Sequence, residues 1–390
     1  MSFKTRISVL LVSTPVLAFV LVGGLIGKEP GSGEQTYQHL RVFEDVVDLV
    51  THNYVGEVQV DKVMDGAMRG LADGLDPDSA FLNAGQVKSV ESGETLPDGD
   101  VGIELTRRYY LYVIAARDGS PAEKAGLRTA DTIRAIDGKP TRDMSVFEGT
   151  RLLRGKPGTR VTLTIIRGNA ADPHEIALTR EKIAGPIVTS RMIGTAGYLR
   201  IASFREGVVD EVRKQAGELS KSGAKALIVD VRRTAEGPLE NGIAAARVFV
   251  KSGTLAIKAG RGKPEPRETV AARAGDGAID LPATVLIATG TSGPAELFAA
   301  ALQDNKRAES IGERTLGRAG IQKLVKLPEG RGLWLTYARY LSPSGTHIQG
   351  RGLEPNVVVE EPDVEFGAPA PQRDPVLDTA IERVKIKAAA

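Results

Sequence analysis

The runs "ALIVDV" (226–231) and "TVLIAT" (284–289) are apolar on both faces that a strand presents, so neither suits a sheet surface open to water. Strands of this kind need cover on two sides. Helical patterns over Glu206–Ser222, Asn241–Val250 and Pro294–Asp304 alternate with them and with "GYLRIASF" (197–204). This alternation predicts a mainly parallel sheet under helices, an α/β domain over residues 186–362. The shorter segments "ESIGERT", "QKLVKLP", "LWLTYARYLSP" and "VVVE" complete it. Residues 363–390 are rich in Pro, Ala and Gly and read as a mobile tail, with a last short helix near Val376–Lys385.

Upstream the texture differs. After a polar "EPGSGEQ" linker, Tyr37–Tyr54 and Val60–Leu75 carry apolar residues at helical spacing, and an Asp76-Pro77 turn leads into a short helix ending near Ser92. Residues 31–95 are therefore expected to be helical. Residues 96–185 hold short β-patterned runs between Gly and Pro turns: "VGIEL", "YLYVIAA", "TIRAIDG", "RVTLTIIRG" and "HEIALTR". With the helical stretches "SPAEKAGL" and "MSVFEGTRLLRG", they make a small domain of five or six strands and two helices. The order of these runs resembles a PDZ domain of the bacterial periplasmic kind. In that family the loop before the first strand offers N–H groups to a peptide's terminal carboxylate, and the peptide adds a strand to the sheet edge. The resemblance places Val101, Gly102, Ile103 and Leu105 at such an edge; a small barrel without a ligand is the alternative.

Composition narrows the chemistry. The chain has no cysteine, which removes disulfides, thiolate metal sites and a cysteine nucleophile. His39, His52, His174 and His347 show no zinc-ligand spacing, so neither a metal nor a cofactor is expected. The 51 basic and 49 acidic residues leave a formal charge of +2 with no long single-sign run, which speaks against a nucleic-acid partner. At the N-terminus, Lys4 and Arg6 precede 21 uncharged residues, Ile7–Gly27. A bilayer core takes about 20 apolar residues. Residues 1–30 thus read as a membrane anchor or a signal peptide, and either version exports the rest to a periplasmic or extracytoplasmic location.

The segment "IATGTSGPAELFAAALQDN" (287–305) ends an apolar run in a Gly-Thr-Ser-Gly turn and starts a helix, with Pro294 at its first position and Glu296 in its first turn. Together with "GLDPDSAFL", "LIVDVR", "AELFAAALQDNKRAESIGERTLGRAGIQ" and "LTYARYLSPSGTHIQGRGLEPNVVV", it makes residues 37–360 resemble the carboxyl-terminal-processing, or tail-specific, serine proteases. The resemblance implies N-terminal helices, an inserted PDZ domain, and then a crotonase-like α/β peptidase domain. It also implies an exported endopeptidase that recognises protein C-termini through a serine nucleophile, a lysine base and a supporting glutamine. Serine attacks only when a neighbouring base takes its proton, and a helix N-terminus steadies the oxyanion that forms.

Several positions depart from the family pattern. Where the family has approximately Gly-Ser-Ala-Ser-Ala-Ser-Glu, this chain has Gly290 to Glu296 with Gly293 at the nucleophile's place. The lysine of the second motif corresponds to Arg318, 25 residues on, at the family's own interval, while Gln322 is retained. An arginine stays protonated and cannot serve as base. In "DVRRTAEGPLE", Glu236 replaces a glycine of the oxyanion region next to Gly237, and a carboxylate there opposes an oxyanion. Arg318 could pair with Glu236 or with a peptide carboxylate. The expectation is a pseudoprotease that binds protein C-termini or unfolded tails, or that regulates an active paralogue or a second copy of itself. The alternative is an active endopeptidase whose displaced nucleophile is Ser292, a residue that also suits a turn or helix cap.

Overall fold

The computed structural model describes residues 32–168, 172–368 and 371–389, so the uncharged run Ile7–Gly27 lies outside the described residues. Among the described residues no helix is long and apolar enough to cross a membrane. The chain divides into two compact units after Ala67. The first contains α1 (Ser32–Asn53) and the start of α2 (Val60–Asp73).

The second unit takes in the end of α2 and then a turn in which the Asp76 carboxylate accepts the N–H groups of Asp78 (2.9 Å) and Ser79 (2.8 Å). It continues into β1 (Ala80–Leu82) and α3 (Ala84–Glu91), whose start is closed by reciprocal Asn83–Gln86 hydrogen bonds. The expectation of one helical region over 31–95 needs correction here. Ala80 and Leu82 are buried as part of a sheet, and a three-residue strand has no periodicity that a sequence can display.

The β domain follows. Its neck is the pairing of β2 (Gly99–Asp100) with β9 (Glu181–Lys182). Between them lie β3 (Ile103–Arg107), β4 (Leu111–Ala116), α4 (Pro121–Lys124), β5 (Thr132–Ile136), β6 (Lys139–Pro140), α5 (Val146–Leu153), β7 (Arg160–Ile166) and β8 (His174–Thr179). The sheet runs β3-β4-β5-β7-β8, antiparallel throughout, so β3 has one neighbour and a free edge. Alternate residues such as Val161, Leu163 and Ile165 point into a core shared with Leu111 and Leu153. Ser120 and Ser145 each accept the N–H three residues on and cap the two helices, which is why both begin where they do.

The α/β domain contains β10 (Val188–Ile193), β11 (Ala196–Ile201), α6 (Val208–Lys221), β12 (Ala226–Asp230), α7 (Leu239–Ala246), β13 (Thr254–Gly260), β14 (Arg267–Ala271), β15 (Ala283–Ile287), α8 (Pro294–Asp304), β16 (Ala308–Gly312), β17 (Gly320–Lys326), β18 (Gly332–Leu341), β19 (Val357–Val358) and α9 (Pro375–Ala389). The principal sheet has the order β10-β11-β12-β15-β16-β19, parallel except for the first pair. Leu227 and Val229 of β12 face the core under α6, α7 and α8, whereas Ala226 and Ile228 face Val376, Ala380 and Val384 of α9. Two-sided cover explains the apolar runs. It also shows that the helix expected near Val376–Lys385 is docked on the sheet and is not part of a mobile tail. The polar, Pro-rich stretch before α9 hides the fact that the far face of the sheet is dry only when this helix sits on it.

A second, antiparallel sheet joins β1, β18, β13 and β14, with β17 on β18. Neither β13 nor β14 was evident in the sequence. The exposed and half-buried positions of β14 carry no apolar alternation, and its pairing comes from the neighbouring strand.

Candidate active-site cleft

The turn before α8 is built by its own backbone. Pro294 occupies the first helical position, and Glu296 reaches back so that its Oε2 accepts the Gly293 N–H at 2.9 Å. Gly293 adopts φ 62° and ψ −120°, a conformation that side chains other than glycine take only under strain. Such a strained strand-to-helix turn is a geometry that lifts a residue clear of a sheet. Here it lifts no side chain.

Glu296 ties this turn to the second motif. Its carboxylate accepts the N–H groups of Gly317 (2.6 Å) and Arg318 (2.7 Å) as well as the Thr315 hydroxyl. Burial pushes the Glu296 carboxyl up, against four donors that pull it down. A Cβ on Gly293 would lie 3.8 Å from Arg318 O and 3.6 Å from Ala235 O, so three sequence-distant segments meet at this point. Glu296 is a positioning residue that sequence reasoning used only as a landmark. The signal in the sequence was a lone carboxylate at the start of "PAELFAAAL", which needs a set of donors once it is buried, as it is here.

Ser292 is fully buried, and its Oγ has no hydrogen-bond partner among the described residues. Its N–H donates to Thr234 O at 3.0 Å, so the residue is a turn element, with no side-chain cap on α8. Arg318 directs its side chain elsewhere than expected. Nε lies 2.8 Å from Asp78 Oδ1 as an ion pair without hydrogen-bond alignment, and Nη1 makes a long 3.5 Å contact with Leu105 O. The pairing of Arg318 with Glu236 is therefore not made. Glu236 instead faces Arg117 Nη1 at 3.0 Å and Arg205 Nε at 3.7 Å. The reason is reach: Asp78 arrives beside Arg318 on the turn before β1, a long-range contact that no local pattern reveals. Gln322 donates to Thr336 Oγ1 at 3.0 Å, and among the described residues no hydrogen bond joins it to Arg318. At Gly237, φ is 120° and a Cβ would come within 2.3 Å of Phe204 O, so only glycine fits against the Phe204 backbone.

The expected peptide edge meets Arg318 at Leu105 O. Val101, Gly102, Ile103 and Leu105 are all buried, with the three side chains in the β-domain core. Their backbones are what remains to offer a ligand. The Gly102 N–H is taken by Asp100 Oδ1 at 3.1 Å, and Val101 O and Gly102 O accept the N–H groups of Ala122 and Arg117. Arg117, 11% exposed along its side chain, is the hub: Nη2 lies 2.6 Å from Asp100 and 3.5 Å from Glu104, while Nη1 faces Glu236. Burial pushes the half-buried Glu104 carboxyl up, with Arg117 opposing that shift. The β domain is further fixed to the α/β domain by Asp118, whose two oxygens each take an N–H of the buried Arg200 at 2.9 Å.

A model of peptidase family S41 matches residues 195–359, and a PDZ-domain model matches residues 112–167. The carboxy-terminal-processing protease of Bartonella bacilliformis is 33% identical over 334 residues, covering 84% of this chain and 77% of that protein. The carboxyl-terminal-processing protease of a Synechocystis species is 34% identical over 299 residues, covering 75% of this chain and 69% of that one. Among solved structures, a photosystem II D1 C-terminal processing protease superposes with a TM-score of 0.67 at 28% identity, covering 82% of this chain and 92% of its own. The β domain is thus a PDZ domain, the α/β domain is the peptidase domain, and the chain belongs to peptidase family S41 as a homologue of its carboxyl-terminal-processing members.

Proposed function

We propose that this chain is a pseudoprotease: an S41 frame that binds polypeptide C-termini through its PDZ domain and does not hydrolyse them. The observation that carries this reading is the turn at the head of α8. Gly293 sits there in the strained conformation a nucleophile would occupy, without an oxygen, and the neighbouring Arg318 is ion-paired to Asp78. A guanidinium cannot accept a proton from a hydroxyl. In the serine protease subtilisin, loss of nucleophile or base removes roughly six orders of magnitude in rate. Ser292 is a poor substitute, because its Oγ is buried and among the described residues no group, a base included, is hydrogen-bonded to it.

The kind of ligand follows from the PDZ homology and from the relatives, which are named for processing carboxyl termini. We read the protein as exported by way of Ile7–Gly27, kept as a membrane anchor or removed as a signal peptide, a reading that rests on the sequence of that run. A second copy or an active relative is a natural partner for such a frame. The test has two arms. Incubated with an unfolded protein substrate, wild type and Ser292→Ala should both leave it intact; cleavage by the wild type that disappears in the variant would restore the protease. Titrated with peptides bearing free or amidated C-termini, the protein should prefer the free carboxylate, and equal affinity would remove the PDZ-type site.

A further inference from the structure

We infer that the peptide edge is occupied by the protein's own side chains, and that a C-terminus binds there by displacing Arg318 and Asp100. This rests on the reading above that β3 and the loop before it take carboxyl termini. Binding of that kind needs backbone groups along β3, a loop N–H and a cation for the terminal carboxylate. Each has an internal partner. Arg318 Nη1 contacts Leu105 O, a carbonyl on the strand with the free edge. The Asp100 carboxylate accepts the Gly102 N–H at 3.1 Å, much as a ligand's carboxylate would. The same carboxylate faces Arg117 at 2.6 Å and Arg154 at 3.3 Å, and Glu236 takes the other end of Arg117 at 3.0 Å.

The residues that do this are informative. Arg318 and Glu236 stand where the family resemblance puts the base and an oxyanion-region glycine, and each now reaches from the α/β domain to the PDZ domain. Substitutions incompatible with proteolysis thereby become contacts that hold the two domains together over the cleft. A ligand carrying a free α-carboxylate exchanges like for like: its carboxylate for that of Asp100, and its backbone N–H for the guanidinium on Leu105 O. Apparent affinity then equals intrinsic affinity reduced by the fraction of molecules in which the edge is open. An amidated or internal segment offers no carboxylate for the exchange, so the ligand class is the unstructured, free C-terminus of a polypeptide.

The experiment measures binding of one fluorescent peptide, with free or amidated C-terminus, to the full-length protein and to Arg318→Ala, Glu236→Gln and the double variant. Arg318 is 30% exposed along its side chain and glutamine is isosteric with glutamate, so the folds should persist, as melting curves would check. Arg318→Ala should bind the free-carboxylate peptide more tightly by roughly threefold, the low end of one hydrogen bond's net worth, because the contact given up on Leu105 O is long. Glu236→Gln should shift it the same way, and amides of β3 should exchange with solvent faster in Arg318→Ala. Weaker binding by Arg318→Ala would make Arg318 a ligand contact and overturn the inference. Unchanged affinity in every variant would overturn it while leaving the peptide-binding reading in place. Absence of binding to all four proteins would remove both.

Discussion

Restoring a side chain at the α8 turn tests the account of the cleft most directly. Gly293→Ser meets no steric bar, since a Cβ would find Ala235 O at 3.6 Å, Leu239 Cδ2 at 3.7 Å and Arg318 O at 3.8 Å, all ordinary contacts. Its cost is the backbone strain of φ 62°, ψ −120°, about 1–3 kcal/mol. At about 2–4 °C per kcal/mol, the melting temperature should fall by roughly 2–12 °C. A hydroxyl alone brings no catalysis, because Arg318 has no proton-accepting form. Gly293→Ser should therefore cleave a fluorescent unfolded substrate no faster than wild type. Adding Arg318→Lys supplies an amine, but Asp78, 2.8 Å from the present Nε, would keep that lysine charged. The double variant should show at most weak cleavage that rises with pH, and Asp78→Asn on top of it should increase the rate. Cleavage by Gly293→Ser alone would refute the role given to Arg318. A melting loss far beyond the strain figure would refute the geometry of the turn.

Other outcomes follow from the packing and the buried charges. Phe298, fully buried between Phe204 (ring centroids 5.7 Å apart) and Phe249 (5.8 Å), anchors α8; Phe298→Ala should cost about 3–5 kcal/mol in urea unfolding, and Phe298→Leu clearly less. Val376→Asp on α9 would bury an unpaired charge against the principal sheet and should lower stability by several kcal/mol, roughly 3 or more, read as an early melting transition. Acid should also weaken the fold. Burial alone would raise the Asp230 and Asp374 carboxyls, but Arg232 holds both below their ordinary range. Depressed folded values mean that this stability is present above the unfolded value near 3.8 and is lost as pH falls through the lower folded ones. Urea unfolding at pH 7, 5, 3 and 2 should show the loss below pH 4, and Arg232→Gln should flatten that dependence; an unchanged slope would exclude these pairs as its source.

Much of the fold is visible along the chain. Strands buried on both faces cannot alternate, so "ALIVDV" and "TVLIAT" announce a covered parallel sheet, and the Pro294 start of α8 lies where its helical period begins. What stays hidden has weak local signals. β1 is three residues long and β14 is largely exposed; α9 is legible as a helix near Val376–Lys385, but nothing in the sequence shows that it packs on the principal sheet.

The candidate site divides in the same way. Residue identity alone determined that Gly293 carries no nucleophile and Arg318 no base, because those are properties of the side chains whatever surrounds them. Only tertiary structure decided where the remaining charges go: Arg318 to Asp78 and Leu105, Glu236 to Arg117, and Glu296 to the backbone of residues 317 and 318. Partners drawn from a turn before β1, a PDZ hairpin and a distant loop have no fixed spacing in sequence, and only the packing of the two domains sets which charge meets which.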